Sequence, residues 1–370
     1  MKKKLCAWVL AGFAVLLIHD VMLLAGCVLI HGNLSMESLK NLIWDRLTMP
    51  GDAQRYLQIA EEGYATEGEN AINLVFYPLY PLLIRVFSLG IFDLAGTGMV
   101  LSRLFLMGCG AALYELAKAD GDESKAWYSV LLMGVYPFSM FTVGVYSESL
   151  FLFLTVLCML LIRREKMPLA GAVGFLAALC RVQGMLLIFP AVYCVVEGRL
   201  GKEKRKIRKS DVCLLLIPFG FCVYLLINAA LHGNPFQFMI YEEGEPWYQS
   251  TKWIAENISS QYHNAQNFKG LETIIYWPQI VLYFGVIGLI FLGMKMDVRM
   301  EYLLYAGVYL GFTYLSGWMI SGGRYMLCCF PVYLIISQLK NEKIRWGILG
   351  ASCVFFFLYS LMFLKGYAIM

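Results

Sequence analysis

The polar residues of this chain that could do chemistry are few, and they sit in short segments far apart in the sequence. Asp52 opens the stretch Gly51-Asp52-Ala53-Gln54-Arg55-Tyr56, and Tyr56, Ile59 and Ala60 follow at i+4, i+7 and i+8 on one helical face. Gly63 is placed to end that helix. An aspartate at a helix start is an ordinary N-cap. A carboxylate is also a base, able to take the proton of a hydroxyl while that oxygen attacks an electrophilic carbon. Three further segments are Tyr146-Ser147-Glu148-Ser149, Arg181-Val182-Gln183-Gly184 and Gly322-Gly323-Arg324-Tyr325. A guanidinium offers a planar fork of donors that matches a phosphate, although a single arginine near a membrane surface can equally snorkel to lipid head groups.

The elements that must position these groups are apolar. Of 370 residues, 59% are hydrophobic and only 15% charged, with a mean hydropathy of +0.64. Soluble domains carry about a quarter charged residues, so this chain cannot cover a water-soluble globule. A soluble enzyme, a disordered scaffold and a secreted disulfide module are excluded, and an all-α polytopic membrane protein remains. The 11 cysteines lie in apolar runs without a CxxC pair, and the four histidines are scattered, so neither a zinc framework nor another metal site is expected. Small apolar packing is the reading for the cysteines.

Apolar stretches long enough to be read as spans fall near 5–30, 96–117, 126–143, 146–163, 168–182, 184–197, 211–231, 273–294, 301–320, 325–339 and 345–365. About eleven spans (10–12) are therefore expected. The first follows Lys2 to Lys4 and is longer than a signal-peptide core, so it is read as a helix that stays. Residues 198–210 hold seven Lys/Arg against one Glu, which places them on the cytoplasmic side. Counting back puts the amino terminus inside, provided that 74–93, with Pro78 and Pro81 near its start, is interfacial or re-entrant. Two outer loops follow, about 31–95 and 232–272, both acidic and both expected to be partly helical along the membrane surface. The face of the Asp52 helix would rest on that surface. No linker or repeat divides residues 1–370, which read as one membrane domain.

Ionisable groups at membrane depth each call for an explanation. Arg103 and Glu115 are expected to pair with neighbours. The pair His19-Asp20 sits within the first span and supports an alternative reading, a transporter or flippase of a lipid-linked or small solute. In the inferred topology Asp52, Glu148, Arg181 and Arg324 all fall on the outer side.

At these residues the sequence resembles the PIG-V type (GPI mannosyltransferase 2-like) family of integral-membrane mannosyltransferases, within the GT-C glycosyltransferases. The resemblance rests on Asp52 to Tyr56, on Ile59-Ala60-Glu61-Glu62-Gly63-Tyr64, and on Phe76-Tyr77-Pro78-Leu79-Tyr80-Pro81. It continues in Tyr146 to Ser149, Arg181 to Gly184 and Arg324-Tyr325, collinear over about 52–335. Gly51 departs from it, standing where the family usually has Trp, while Trp44-Asp45 occurs seven residues earlier and leaves Asp45 as a second candidate carboxylate. The resemblance implies a GT-C type helix bundle, a polyprenyl- or dolichyl-phosphate sugar donor, most often of mannose, and a glycan or glycolipid acceptor. It further implies inverting transfer on the non-cytoplasmic side without a cofactor or nucleic acid. Asp52 would be the general base, and Arg181, Arg324 and Tyr325 would hold the donor phosphate. Gln54, Arg55, Tyr56, Glu148 and Gln183 would contact the substrates. The compact length favours a bacterial plasma membrane, with the endoplasmic reticulum as the eukaryotic counterpart.

Overall fold

The computed structural model describes residues 2–49, 51–200, 206–267, 273–296, 298–317, 319–367 and 369; residues 201–205, the centre of the basic segment, lie outside it. The chain is helical. It begins with α1 (Lys2–His31), α2 (Met36–Leu39), α3 (Asp45–Thr48), α4 (Asp52–Glu62), α5 (Leu79–Ser88), α6 (Leu94–Asp120), α7 (Glu123–Gly134), α8 (Glu148–Arg163) and α9 (Met167–Cys180). It continues with α10 (Ile188–Leu200), α11 (Leu216–His232), α12 (Gln237–Glu243), α13 (Ile254–Asn267), α14 (Thr273–Lys295), α15 (Met300–Thr313), α16 (Gly322–Leu327), α17 (Pro331–Ser337) and α18 (Glu342–Leu364). A π-helical turn, Lys40–Trp44, joins α2 to α3.

Among the described residues six helical segments are long and apolar enough to cross a membrane: Ala7–His31, Leu94–Asp120, Val182–Arg199, Lys209–His232, Ile275–Lys295 and Glu342–Leu364. The chain is thus a multi-pass membrane protein; six of its described helical segments meet this length and composition, or seven if one bent pair is a single span, against the 10–12 expected. Proline accounts for two of the five stretches that fall short, while α8, α9 and α15 are helices of 16, 14 and 14 residues. The stretch 126–143 is cut after Gly134, just before Pro137, whose ring removes a donor and disfavours helix at Tyr136. The stretch 325–339 is divided into α16 and α17, the second starting on Pro331. At 74–93 the turn Glu69–Val75 and α5 form a pair bent by 108° with Pro78 at the break, a geometry shared by a broken span and a re-entrant segment.

Two compact units share the chain. The first comprises Met1–Gly63, Tyr80–Val156 and Ile336–Ile369. In it α1 lies along α6 through small residues: a Cβ on Gly12 would sit 2.6 Å from the Met107 carbonyl oxygen. Such contacts let helix backbones approach where lipid supplies no hydrophobic drive.

The second unit comprises Tyr64–Leu79 and Leu157–Ile335. Its centre is a glycine seam between α9 and the segment running into α11. A Cβ on Gly171 would fall 2.0 Å from the Cys213 carbonyl oxygen, and one on Gly220 would fall 2.1 Å from that of Phe175. Tyr224 of α11 stacks on Tyr77, ring centroids 4.0 Å apart, and donates its hydroxyl to the Leu74 carbonyl at 2.6 Å. Tyr64 likewise donates to the Phe76 carbonyl at 2.5 Å. Together they occupy carbonyls freed where the turn Glu69–Val75 ends. Glu301 of α15 is buried but paired with Arg299, and Arg163 lies 4.0 Å away.

Candidate functional site

In the first unit α4 runs from Asp52 to Glu62 and stops at Gly63, whose φ of +85° is a conformation that favours glycine. Asp52 is not the N-cap: it is the first helical residue, and Gly51 caps with φ +57° and ψ −120°. A side chain at Gly51 would be strained by that backbone although open space surrounds it, so tryptophan would not sit easily there. The departure from the family pattern thus has a local reason.

The helix face predicted to rest on the membrane is instead packed inside the protein. Ala53, Tyr56, Ile59 and Ala60 are all buried. Tyr56 meets the edge of Tyr80 at 5.2 Å, and its hydroxyl shares a 2.9 Å hydrogen bond with Ser147. That bond ties α4 to the residue preceding Glu148, which opens α8 and is fully buried. Around this anchor Asp52 and Arg55 are half-buried and Gln54 is exposed. The structure therefore joins two of the predicted segments, Asp52 to Tyr56 and Tyr146 to Ser149, within one unit.

In the second unit α9 ends at Cys180, and Arg181 turns extended, with φ −156° and ψ +148°. The chain then tightens into a 3-10 turn, Val182–Leu187, whose entry is held by the Gly184 amide donating to the Arg181 carbonyl at 2.9 Å. Glycine is required at 184, because a Cβ there would be 2.2 Å from the Ala177 carbonyl carbon. The Arg181 guanidinium lies over the Tyr325 ring, its Cζ 5.5 Å from the centroid, within range of a cation–π contact. Tyr325 is fixed in turn by the Tyr309 hydroxyl, which donates to its carbonyl at 2.9 Å. Arg324, beside it on α16, is only 6% exposed, and Gln183 is buried as well. Three of the residues expected to hold an anion thus lie in one locality, Arg181 against Tyr325 and Arg324 next to it.

His19 and Asp20 point to separate partners. The His19 ring is buried, its nitrogens 2.8 Å from the Val15 carbonyl and 3.1 Å from that of Ser139, and it packs on Phe356. Asp20 bonds Arg103 at 2.6 Å. Neighbours in sequence, the two make their hydrogen bonds to different partners.

Sequence reasoning missed Glu242 on α12. This carboxyl is half-buried near Tyr77, and desolvation pushes its pKa up to about 7 from the ordinary 4.5. Only its place in an acidic loop beside aromatic residues could have drawn attention to it.

A family model described as "Mannosyltransferase (PIG-V)" matches residues 14–278. GPI mannosyltransferase 2 of Drosophila pseudoobscura pseudoobscura is 30% identical over 159 residues, covering 38% of this chain and 34% of that protein. GPI alpha-1,6-mannosyltransferase 2 of Cricetulus griseus is 28% identical over 148 residues, 37% of this chain and 29% of that protein. GPI mannosyltransferase 2 of Drosophila melanogaster is 27% identical, with 45% and 38% covered. The matches span about a third of the length of these curated relatives. All three are animal proteins, so the preference for a bacterial plasma membrane finds no support in them. No solved structure matches the chain.

Proposed function

Since the chain belongs to the PIG-V mannosyltransferase family, we propose that it is a membrane glycosyltransferase that moves a sugar, mannose by the names of its relatives, from a polyprenyl- or dolichyl-phosphate donor to a glycan or glycolipid acceptor. Transfer takes place on the non-cytoplasmic side and inverts the anomeric carbon. In a eukaryotic host its membrane is that of the endoplasmic reticulum.

The observation that carries this reading is the Arg181–Tyr325–Arg324 locality. Two guanidiniums in an apolar helical unit suit a phosphate that stays attached to a lipid while its sugar leaves. Asp52 takes the proton from the acceptor hydroxyl as that oxygen attacks the anomeric carbon. The bond from that carbon to the phosphate oxygen breaks with its electron pair on the phosphate, and the arginines offset the growing charge. Tyr56 anchors α4 through Ser147 and so holds the base in place. Gln54 and Arg55 beside the base, with Glu148 and Gln183, orient the sugars or the arginines.

The test is transfer from a labelled polyprenyl-phosphate mannose, with the glucose analogue alongside, by the purified protein in lipid. Asp52→Asn should lose about 10²- to 10⁴-fold in turnover, the usual range for general-base removal. Arg324→Ala should raise the donor KM and lower the rate. Asp52→Asn at wild-type rate would remove the base assignment, and unchanged donor kinetics in Arg324→Ala would remove the phosphate site.

A further inference from the structure

Away from the residues assigned above, the first unit contains a cavity of about 1,050 Å³ bounded by α1, α2, the Lys40–Trp44 turn and α6. Two of its lining residues are Asp20 and Arg103, joined at 2.6 Å and part-exposed, 42% and 27%. Asp20 lies 11 residues before His31, the last residue of α1, and Arg103 lies 9 after Leu94, the first of α6. At about 1.5 Å per residue those offsets are about 16 and 14 Å, so both helices deliver their charge to one depth, near the middle of a hydrocarbon layer of ~30 Å. Lone charges there would be costly; bonded to each other they leave that wall without net charge.

The remaining lining divides by chemistry. Leu23, Leu24 and Met99, with Leu39 and Ile43, present hydrocarbon. Glu37, Lys40, Asn41 and Trp44 come from the segment just beyond the end of α1. An ammonium pairs with phosphate, a carboxylate and an amide accept from hydroxyls, and an indole prefers the head-group layer. Apolar walls reaching mid-membrane depth below such a polar set match a lipid: one hydrocarbon chain, with a head group bearing both a phosphate and hydroxyls. At about 30 Å³ for a water-sized group the cavity holds about 35 of them, ample for a long chain and part of its head.

We propose that this cavity seats the lipid anchor of the acceptor, its chain between α1 and α6 and its head group at Glu37, Lys40 and Asn41. The choice of acceptor over donor rests on the glycosyl-transfer reading above. The polar set lies on the segment that runs through α3 into α4, whose first residue is the proposed base, whereas the phosphate-holding arginines belong to the other unit.

The experiment uses the full chain in phosphatidylcholine nanodiscs carrying a phosphatidylglycerol with a diazirine on its acyl chain, a probe with a phosphate and free hydroxyls. After irradiation, adducts are mapped by mass spectrometry. They are expected on Leu23, Leu24 and Met99, and weaker from a diazirine phosphatidylcholine, which lacks the hydroxyls. Leu24→Trp fills the cavity from a side chain already 38% exposed, so no core is overpacked. Leu24→Trp and Lys40→Ala should each reduce the adducts about tenfold, a loss of ~1.4 kcal/mol in binding. In the transfer assay Leu24→Trp should raise the acceptor KM and leave the donor KM alone. Adducts absent from these residues, or undiminished in both variants, would overturn the site. Cavity adducts in a wild-type protein that transfers no sugar would sink the proposed reaction and leave the lipid site standing. A raised donor KM in Leu24→Trp with the acceptor KM unchanged would overturn the assignment to the acceptor.

Discussion

Glu242 gives the pH dependence its most direct handle. Its carboxyl is held near pH 7, above its ordinary 4.5, because burial penalises the charged form. The folded segment therefore keeps a proton that the opened segment releases. The stability contributed by the neutral acid is complete below about pH 4.5 and is lost as pH rises through about 7. A shift of about 2.5 units at 1.36 kcal/mol each sets a ceiling of about 3 kcal/mol on that loss. Replacing Glu242 by Gln keeps the shape and removes the ionisation, so the variant should show no such slope. Hydrogen exchange of α12 and the turn behind it, where the Gln249 amide donates to the Glu242 carbonyl at 2.7 Å, reads the local opening. Wild type and Glu242→Gln are compared at each pH from 4.5 to 8, so that intrinsic exchange rates cancel. The wild-type protection relative to the variant should fall by about two decades across this range, fewer if opening exposes the carboxyl only in part. A ratio that does not change with pH would refute the argument.

Three further outcomes follow from close contacts. Gly184→Ala drives a Cβ into the Ala177 backbone and should cost more than the usual ~1–3 kcal/mol of overpacking, seen as loss of the monodisperse peak in size exclusion. Normal elution would show that the turn after Arg181 has room. Tyr224→Phe leaves the Leu74 carbonyl without its 2.6 Å donor and should lower thermal stability by about 1–3 kcal/mol, measured in nanodiscs; an unchanged melting profile would contradict the bond. Tyr56→Phe and Ser147→Ala should each cost about 1 kcal/mol, and the double variant less than their sum, since both remove one shared hydrogen bond. Strict additivity in that cycle would separate them.

The sequence carried the local structure further than the long-range pairing. Composition and the spacing of apolar runs placed α1, α6, α11, α14 and α18 within a few residues, because each is set by one continuous stretch. Periodicity found α4 and its buried face, and Gly63 its end, but not what covers the face. Tyr80 and Ser147 are brought there by the fold, and nothing near residue 56 announces them. Hydropathy also merged what Pro137 and Pro331 divide, since a window average is insensitive to one missing donor. At the candidate site the motif residues were legible one at a time. That Arg181 would lie over Tyr325, and that Asp20 would answer Arg103 rather than His19, depends on contacts across 83 or more positions.

The seam of glycines between α9 and α11 has a mechanical outcome. Where one backbone rests directly on another, sliding by a turn would set side chains against main chain, and parting would open a slot for lipid tails. The two rods therefore have a single register and travel as one body. Arg181, at the tip of one of them, is mounted on a fixed post, so any opening motion in this unit has to come from elsewhere.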